Sequence, residues 1–354
     1  MGSCNDSFVN LTARDTSNNC TQTNATIAES VVGYYPYAEV AGWILLAIGV
    51  GTVFSNAIFL LVYWRNSSSS LHTPFNVYVS NLAISDFVIS IFTTPGNFAL
   101  FALNRWPFSS AFCTLHLYVY WNWYTTSLQY HMLISLNRLW AICFPHHYRT
   151  HHTKRLAVSL CTATCLYAHV WTLIGLIPDA LYYRTENERE CSVNVELQPL
   201  WSALYLFTLY TFPEVVVIVV YPVISWKVAQ RRKVKARNNP KSALSASGPG
   251  GTAAEGPVRQ SVPVSQQGHL RGESRLSGPR TSHFKVLTYL VMANVIFWTP
   301  NGTYFVLAST MNFSNFSYYT FTLVLLSISP LITPLTYPLA SKDWREAFKR
   351  LLVR

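Results

Sequence analysis

EVAGWILLAIGVGTVFSNAIFLLVY, residues 39–63, carries a single charged side chain, Glu39, at its very edge. As a helix rising about 1.5 Å per residue it outreaches the ~30 Å hydrocarbon layer of a bilayer. Six further blocks of the same character follow at 75–103, 111–144, 156–182, 200–228, 284–310 and 318–340. Within lipid every backbone N–H and C=O must be satisfied internally, which leaves helices or closed barrels, and these blocks are too long for barrel strands of about 10 residues. The expected fold class is an all-α integral membrane protein, a seven-transmembrane helix bundle.

Composition agrees with that reading. The chain has 354 residues, half of them hydrophobic and 12% charged, where a soluble chain carries about 25% charged residues. A net charge of +11 invites a nucleic-acid partner until the basic residues are located. Only Arg14, Arg105, Arg184 and Arg189 lie on one side of the blocks, among nine acids; the other 22 Lys and Arg lie on the opposite side with Glu255, Glu273, Asp343 and Glu346. This is positive-inside asymmetry, so it sets orientation. The N-terminus is expected outside and the C-terminus in the cytoplasm, with no nucleic-acid partner, since no basic and aromatic interleave occurs.

The organisation follows in three parts. Residues 1–38 are the expected N-terminal segment, of which the first 35 are polar, show no cleavable signal peptide and miss the myristoylation pattern at Asp6. Sequons at Asn5, Asn10, Asn19 and Asn24 mark this segment as glycosylated and extracellular. Residues 39–340 hold the seven spans, interrupted at 229–283 by a stretch rich in Ser, Gly, Pro, Gln and Arg that cannot bury a core and is expected to be disordered. In 341–354, Trp344, Phe348, Leu351 and Leu352 share one helical face between basic residues, predicting a short amphipathic helix on the membrane surface. No repeat is visible.

Seven cysteines divide by compartment: Cys143, Cys161 and Cys165 fall within or at the inner ends of spans, whereas Cys4, Cys20, Cys113 and Cys191 face the oxidising side, where disulfides form. No Cys/His spacing suggests a metal. Two acids stand inside the spans. Asp86 sits mid-block, where an isolated charge costs at least ~3 kcal/mol, so it reads as a cation site, a proton-sensitive group or a hydrogen-bonded packing residue. Glu214, beside Pro213, has no partner evident in the sequence.

Taken in order, the motifs resemble those of class A, rhodopsin-like G-protein-coupled receptors across roughly 39–352. They are Gly51 with Asn56; Leu82-Ala83-Ile84-Ser85-Asp86; Trp106-Pro107-Phe108 before Cys113; Arg138 at the inner end of the third block; Trp171; Pro213 with Tyr221; Phe297-Trp298-Thr299-Pro300; and Thr333-Pro334-Leu335-Thr336-Tyr337. The resemblance implies a Cys113–Cys191 disulfide, proline hinges at Pro213, Pro300 and Pro334, and a heterotrimeric G protein meeting Asn137, Arg138, Tyr221 and Tyr337. A Cys4–Cys20 pair is the weaker expectation. By family geometry Ser127, Ser329 and Thr333 surround Asp86 as a candidate allosteric sodium site; no other cofactor or metal is expected.

Several positions depart from the family pattern. Asn137 replaces the acid that usually precedes the arginine, no acid occurs between Glu273 and Asp343, and Arg280 and Lys285 stand near the inner end of the sixth block. Raised basal signalling is the expected consequence. Thr333, Asn294 and His146 also replace typical residues. For the ligand, Tyr120 stands where amine receptors carry an aspartate, disfavouring a biogenic amine, and no Lys occurs from Val286 to Ser341, excluding a retinal Schiff base there. His116, Tyr120, Trp123 and Tyr124 recur at helical spacing; with Asn97, Tyr205, Trp298, Asn301 and Phe305 they form a candidate wall for a peptide or a non-amine small molecule. The expectation is a cell-surface receptor and not an enzyme. The rivals are a constitutively active or decoy receptor and, more remotely, a seven-helix transporter, which usually shows repeats and broken midplane helices.

Overall fold

Short polar and proline signals set the helix starts. In this computed structural model, which describes residues 36–66, 71–103, 105–184, 191–238, 291–311, 313 and 315–352, Thr73 caps α2 (Pro74–Ala102) by accepting from the Asn76 N–H at 3.3 Å. Ser109 caps α3 (Ser110–Cys143) in the same way, and Thr153 and Asn315 repeat the device further on. Each satisfies one of the amide donors a helix start leaves open. The sequons at Asn5, Asn10, Asn19 and Asn24, the Cys4–Cys20 pair, Arg280, Lys285 and the inner loop beyond Asn238 lie outside the described residues.

α1 (Pro36–Arg65) precedes α2 and α3. After α3 come the short α4 (Pro145–His151) and then α5 (Lys154–Pro178), which widens into a π turn at Asp179–Tyr183. The fifth block is α6 (Pro199–Tyr205), a π segment Leu206–Thr211 and α7 (Phe212–Asn238). Pro213 has no N–H to return to the preceding turn, and the backbone widens just ahead of it. Residues 291–297 are helical and break at Trp298 before α8 (Thr299–Met311), around Pro300; α9 (Phe316–Ala340) and α10 (Lys342–Leu352) complete the chain. No strand occurs among the described residues.

Five of these helical stretches are long and apolar enough to cross a membrane: 37–65, 74–102, 154–183, 199–231 and 316–339. α3 fails that measure although it packs against α2, α5 and α7. Its polarity is internal: Asn122, Thr125, Thr126, Ser127, Gln129, His131, Ser135 and Asn137 are all buried by neighbouring helices rather than by lipid. Asn56 ties α1 to α9 by donating to the Pro330 carbonyl at 3.0 Å.

Two expectations need correction. The helix of the fifth block runs through Asn238, well beyond Val228 and into the segment expected to be disordered; Lys and Arg are good helix formers, so leaving the apolar layer does not end the helix. The amphipathic helix forms over Lys342–Leu352, but Trp344 is 3% exposed and stacks on Phe59 at 4.3 Å. The bundle, not only the membrane surface, receives its apolar face.

Candidate functional site

The outer end of α3 is held by a covalent and an ionic tie. Cys113 and Cys191 are disulfide-bonded with Cα atoms 5.6 Å apart, fixing the outer loop to the first turn of α3. Beside them Asp179 is fully buried; its Oδ2 accepts from Arg184 Nε at 2.8 Å and Nη2 at 2.5 Å, and its Oδ1 accepts from the Asn194 N–H at 2.8 Å. Arg184 Nη1 also donates to Thr114 Oγ1 at 2.7 Å. Sequence reasoning counted Asp179 and Arg184 only as outward charges. Their five-residue separation was the one signal, and the π turn between them is what brings the side chains together.

Below this cap runs a chain of rings. His116 lies 5.2 Å from Trp106, Tyr120 stacks on His116 at 6.4 Å, Tyr124 follows at 4.9 Å, and Trp298 meets Tyr124 edge-on at 6.2 Å. Gly96 allows this packing, because a Cβ there would collide with the His116 ring. Tyr210 adds a ring at 6.0 Å from Trp298 and donates to Asn301 Oδ1 at 3.3 Å; Asn301 donates in turn to Thr322 at 3.3 Å. Tyr120 pairs with the Tyr319 hydroxyl, and Phe305 joins through Tyr304 and Tyr319. Tyr210, Tyr304 and Tyr319 were missed in the sequence, where nothing distinguishes them from other aromatic residues of the spans.

Of the expected members of the wall, Tyr205 is engaged elsewhere and Trp123 is shared with α5. Tyr205 is buried between α3 and α5, donating to the Trp121 carbonyl at 2.7 Å, with Thr125 at 3.2 Å and Thr172 at 3.3 Å. Trp123 sets its ring edge-on to His169 of α5 at 5.8 Å. Tyr205 thus sits on the seam of α3 and α5, one residue ahead of the π segment, whereas Trp123 also packs against the cluster of Tyr124, Tyr210 and Trp298. Asn97 lines a cavity of about 20 Å³ with Thr52, Ser90, Thr93, Tyr124 and Ser327, room for one water and not for an organic ligand.

Asp86 is 1% exposed. Ser127 donates to its Oδ1 at 2.9 Å, and its Oδ2 is buried with no hydrogen-bond partner. Thr333 and Ser329 are buried nearby in the sequence of α9, but Ser329 accepts from Trp298 Nε1 at 3.0 Å and Thr333 donates to the Ser329 carbonyl at 2.9 Å. An orphaned carboxylate oxygen with a hydroxyl on its twin fits a small cation; Ser329, already bonded to the indole, fits less well. Glu214, partnerless in the sequence, accepts from Asn294 Nδ2 at 2.5 Å and from Thr299 Oγ1 at 2.8 Å. It joins α7 to the sixth block on both sides of the Trp298 break.

The inner end of α3 is built differently. The Arg138 guanidinium lies 3.2 Å from the centre of the Phe75 ring, a cation–π placement. Asn137 is buried and engaged at both ends: Nδ2 donates to His152 Nε2 at 2.8 Å and Oδ1 accepts from the Tyr148 hydroxyl at 3.1 Å. Tyr337 is 1% exposed and packs on Phe59 at 5.4 Å, while Tyr221 packs in a cluster with Val217, Ile224 and Val291.

The sequence from 55 to 337 matches the family described as "7 transmembrane receptor (rhodopsin family)". Relatives include the 5-hydroxytryptamine receptor 1B of Gorilla gorilla gorilla and of Homo sapiens, each 24% identical over 95% of this chain and 91% of the relative. The same receptor of Equus caballus is 24% identical over 98% of this chain and 93% of its own. The chain belongs to the rhodopsin family of seven-transmembrane receptors. It is a multi-pass plasma-membrane receptor that signals through heterotrimeric G proteins, and not an enzyme.

Proposed function

We propose that this receptor reads an extracellular peptide or non-amine small molecule, with its N-terminus outside and its C-terminus in the cytoplasm, within the lipid bilayer. The observation that carries the ligand class is the ring chain His116, Tyr120, Tyr124, Trp298, Tyr210: it is built of aromatic rings and hydroxyls, and the carboxylates nearest it, Asp86 and Glu214, already accept from Ser127, Asn294 and Thr299. A ligand ammonium would need a counter-charge there. Asn301 and Phe305 extend the wall, and the break at Trp298 and Pro300 lies directly beneath it, so a ligand that prefers one packing of these rings shifts the population of inner-face arrangements. Pro334 is the corresponding weak point of α9. Arg138, Asn137, Tyr221 and Tyr337 form the G-protein side of the reading, and Asp86 with Ser127 and Thr333 would hold an allosteric sodium ion.

A second reading is an amine ligand, favoured by the name of the 5-hydroxytryptamine receptor relatives. Guanine-nucleotide exchange in membranes containing the full chain separates the two: peptides and neutral or acidic aromatic compounds are expected to stimulate it, and 5-hydroxytryptamine is not. Saturable stimulation by 5-hydroxytryptamine that is lost in Tyr120→Ala overturns the non-amine reading. Ion flux in proteoliposomes without exchange overturns the receptor reading altogether.

A further inference from the structure

His152 lies between α4 and α5, where the inner loop turns back against the bundle. Its Nε2 accepts from Asn137 Nδ2 at 2.8 Å and has the Tyr78 hydroxyl of α2 at 3.4 Å. The ring stacks on Tyr148 at 4.4 Å and on Tyr78 at 6.0 Å, and Trp140 meets it edge-on at 5.8 Å. One imidazole thus fastens three elements at the point where the family pattern has an ion pair. We propose that His152 makes this fastening proton-sensitive: the neutral ring holds α4 against α3 beside Arg138, a proton on Nε2 releases it, and cytosolic acidification therefore raises agonist-free signalling. The proposal rests on the G-protein receptor reading above.

The chemistry has one sign. An amide N–H can donate only to an unprotonated ring nitrogen, which leaves the ring proton on Nδ1. A second proton turns Nε2 into a donor facing the Asn137 amide donor, so this contact is lost unless the amide turns over and gives up the bond its Oδ1 accepts from Tyr148. The groups facing the ring are Tyr78 from α2, Asn137 and Arg138 from α3, and Tyr148 from α4; Lys154 and Arg155, which open α5, are exposed. Every full charge in this set is positive. Among the described residues no carboxylate forms an ion pair here, the two ion pairs being Asp179–Arg184 and Glu346–Arg350. Burial first, and the Arg138 charge second, hold the His152 imidazole down at about 4.

Once released into water the same ring returns to its ordinary value of about 6.5. The fastened form binds fewer protons, so its advantage is complete above that value and is lost progressively as pH falls below it. Between pH ~7.5 and ~6.0 the released-to-fastened ratio rises about fourfold by this linkage. An acid at position 137 reverses the sign, because a carboxylate accepts from a protonated ring and favours it.

Two measurements on the full-length receptor in nanodiscs test this. In histidine NMR titrations, the imidazole signal that disappears in His152→Gln is expected to stay neutral above pH ~5 and to titrate above ~6.5 in Asn137→Asp. Agonist-free nucleotide exchange is expected to rise about fourfold from pH ~7.5 to ~6.0 relative to His152→Gln receptor in the same preparation, and to fall over that range in Asn137→Asp. A parent signal titrating near 6.5, or a pH response equal in the parent and His152→Gln, overturns the proposal. Absence of exchange with every receptor variant overturns the G-protein reading instead, and the titration still decides whether His152 is held neutral.

Discussion

The two ends of α3 are fastened by opposite chemistry. At the outer end a disulfide and a buried carboxylate–guanidinium pair hold the loop from Asp179 to Cys191 and Asn194 onto the first turn. At the inner end Asn137, His152, Tyr148 and Tyr78 are joined through hydrogen bonds, and the Arg138 guanidinium lies over an aromatic face. Breaking the first set costs covalent or charge-burial energy; rearranging the second exchanges hydrogen bonds of about 1 kcal/mol each for hydrogen bonds to water or to a partner. A receptor needs that asymmetry. Its signalling face must change contacts when a G protein arrives, which weak, exchangeable hydrogen bonds allow.

The largest expected effect breaks the outer end. Replacing Cys113 or Cys191 by Ser removes a closure over 78 residues, worth roughly 4 kcal/mol. Surface expression is expected to fall severalfold, measured by antibody binding on intact cells; unchanged expression together with unchanged thiol labelling after reduction counts against the bridge. Asp179→Asn comes next. It leaves Arg184, partly buried beside Thr114, without its counter-ion, at a cost of about 3 kcal/mol, read as a lower thermal-denaturation midpoint in detergent. If the inner end were equally rigid, disturbing it would show a similar loss.

The expectation there is different. Asp86→Asn is expected to leave expression near the parent level and to abolish any sodium dependence of basal exchange; a sodium response that survives the substitution removes the proposed site. Asn137→Asp is the smallest change. An acid beside Arg138, still accepting from Tyr148, adds an ion pair between buried residues whose attraction is largely offset by desolvation, leaving about 1 kcal/mol, so basal exchange near pH 7 is expected to fall severalfold at matched surface expression. Equal or higher basal exchange would mean that the neutral node restrains the inner face as firmly as an ion pair, and the contrast between the ends would lose its point.

The residues that spoke clearly in the sequence were those whose physics is one-dimensional. Apolar block length, the side on which Lys and Arg accumulate, and the proline, tryptophan and cysteine motifs in order led directly to the helix bundle and to the receptor family. The helix starts at Thr73, Ser109 and Thr153 were equally local, since a cap is a contact between residues three apart. Glu214 shows the limit. Its partners Asn294 and Thr299 lie 80 and 85 residues away, and no pattern along the chain announces such a pairing.

By itself, then, the sequence determined that seven blocks are long and apolar enough to span lipid and on which side of them Lys and Arg gather, because hydrophobic length and charge placement act on each segment separately. Only the tertiary structure decided what each polar group touches. Tyr205 is held on the seam of α3 and α5 and not in the ring wall, and the π turn after Pro178 carries Asp179, which pairs with Arg184 at its end. The return of the inner loop placed His152 against Asn137. The physical reason is the same in each case: a buried hydrogen-bonding group must find a partner within about 3 Å, and which partner stands there is set by how neighbouring helices are rotated and offset, a quantity that no single segment encodes.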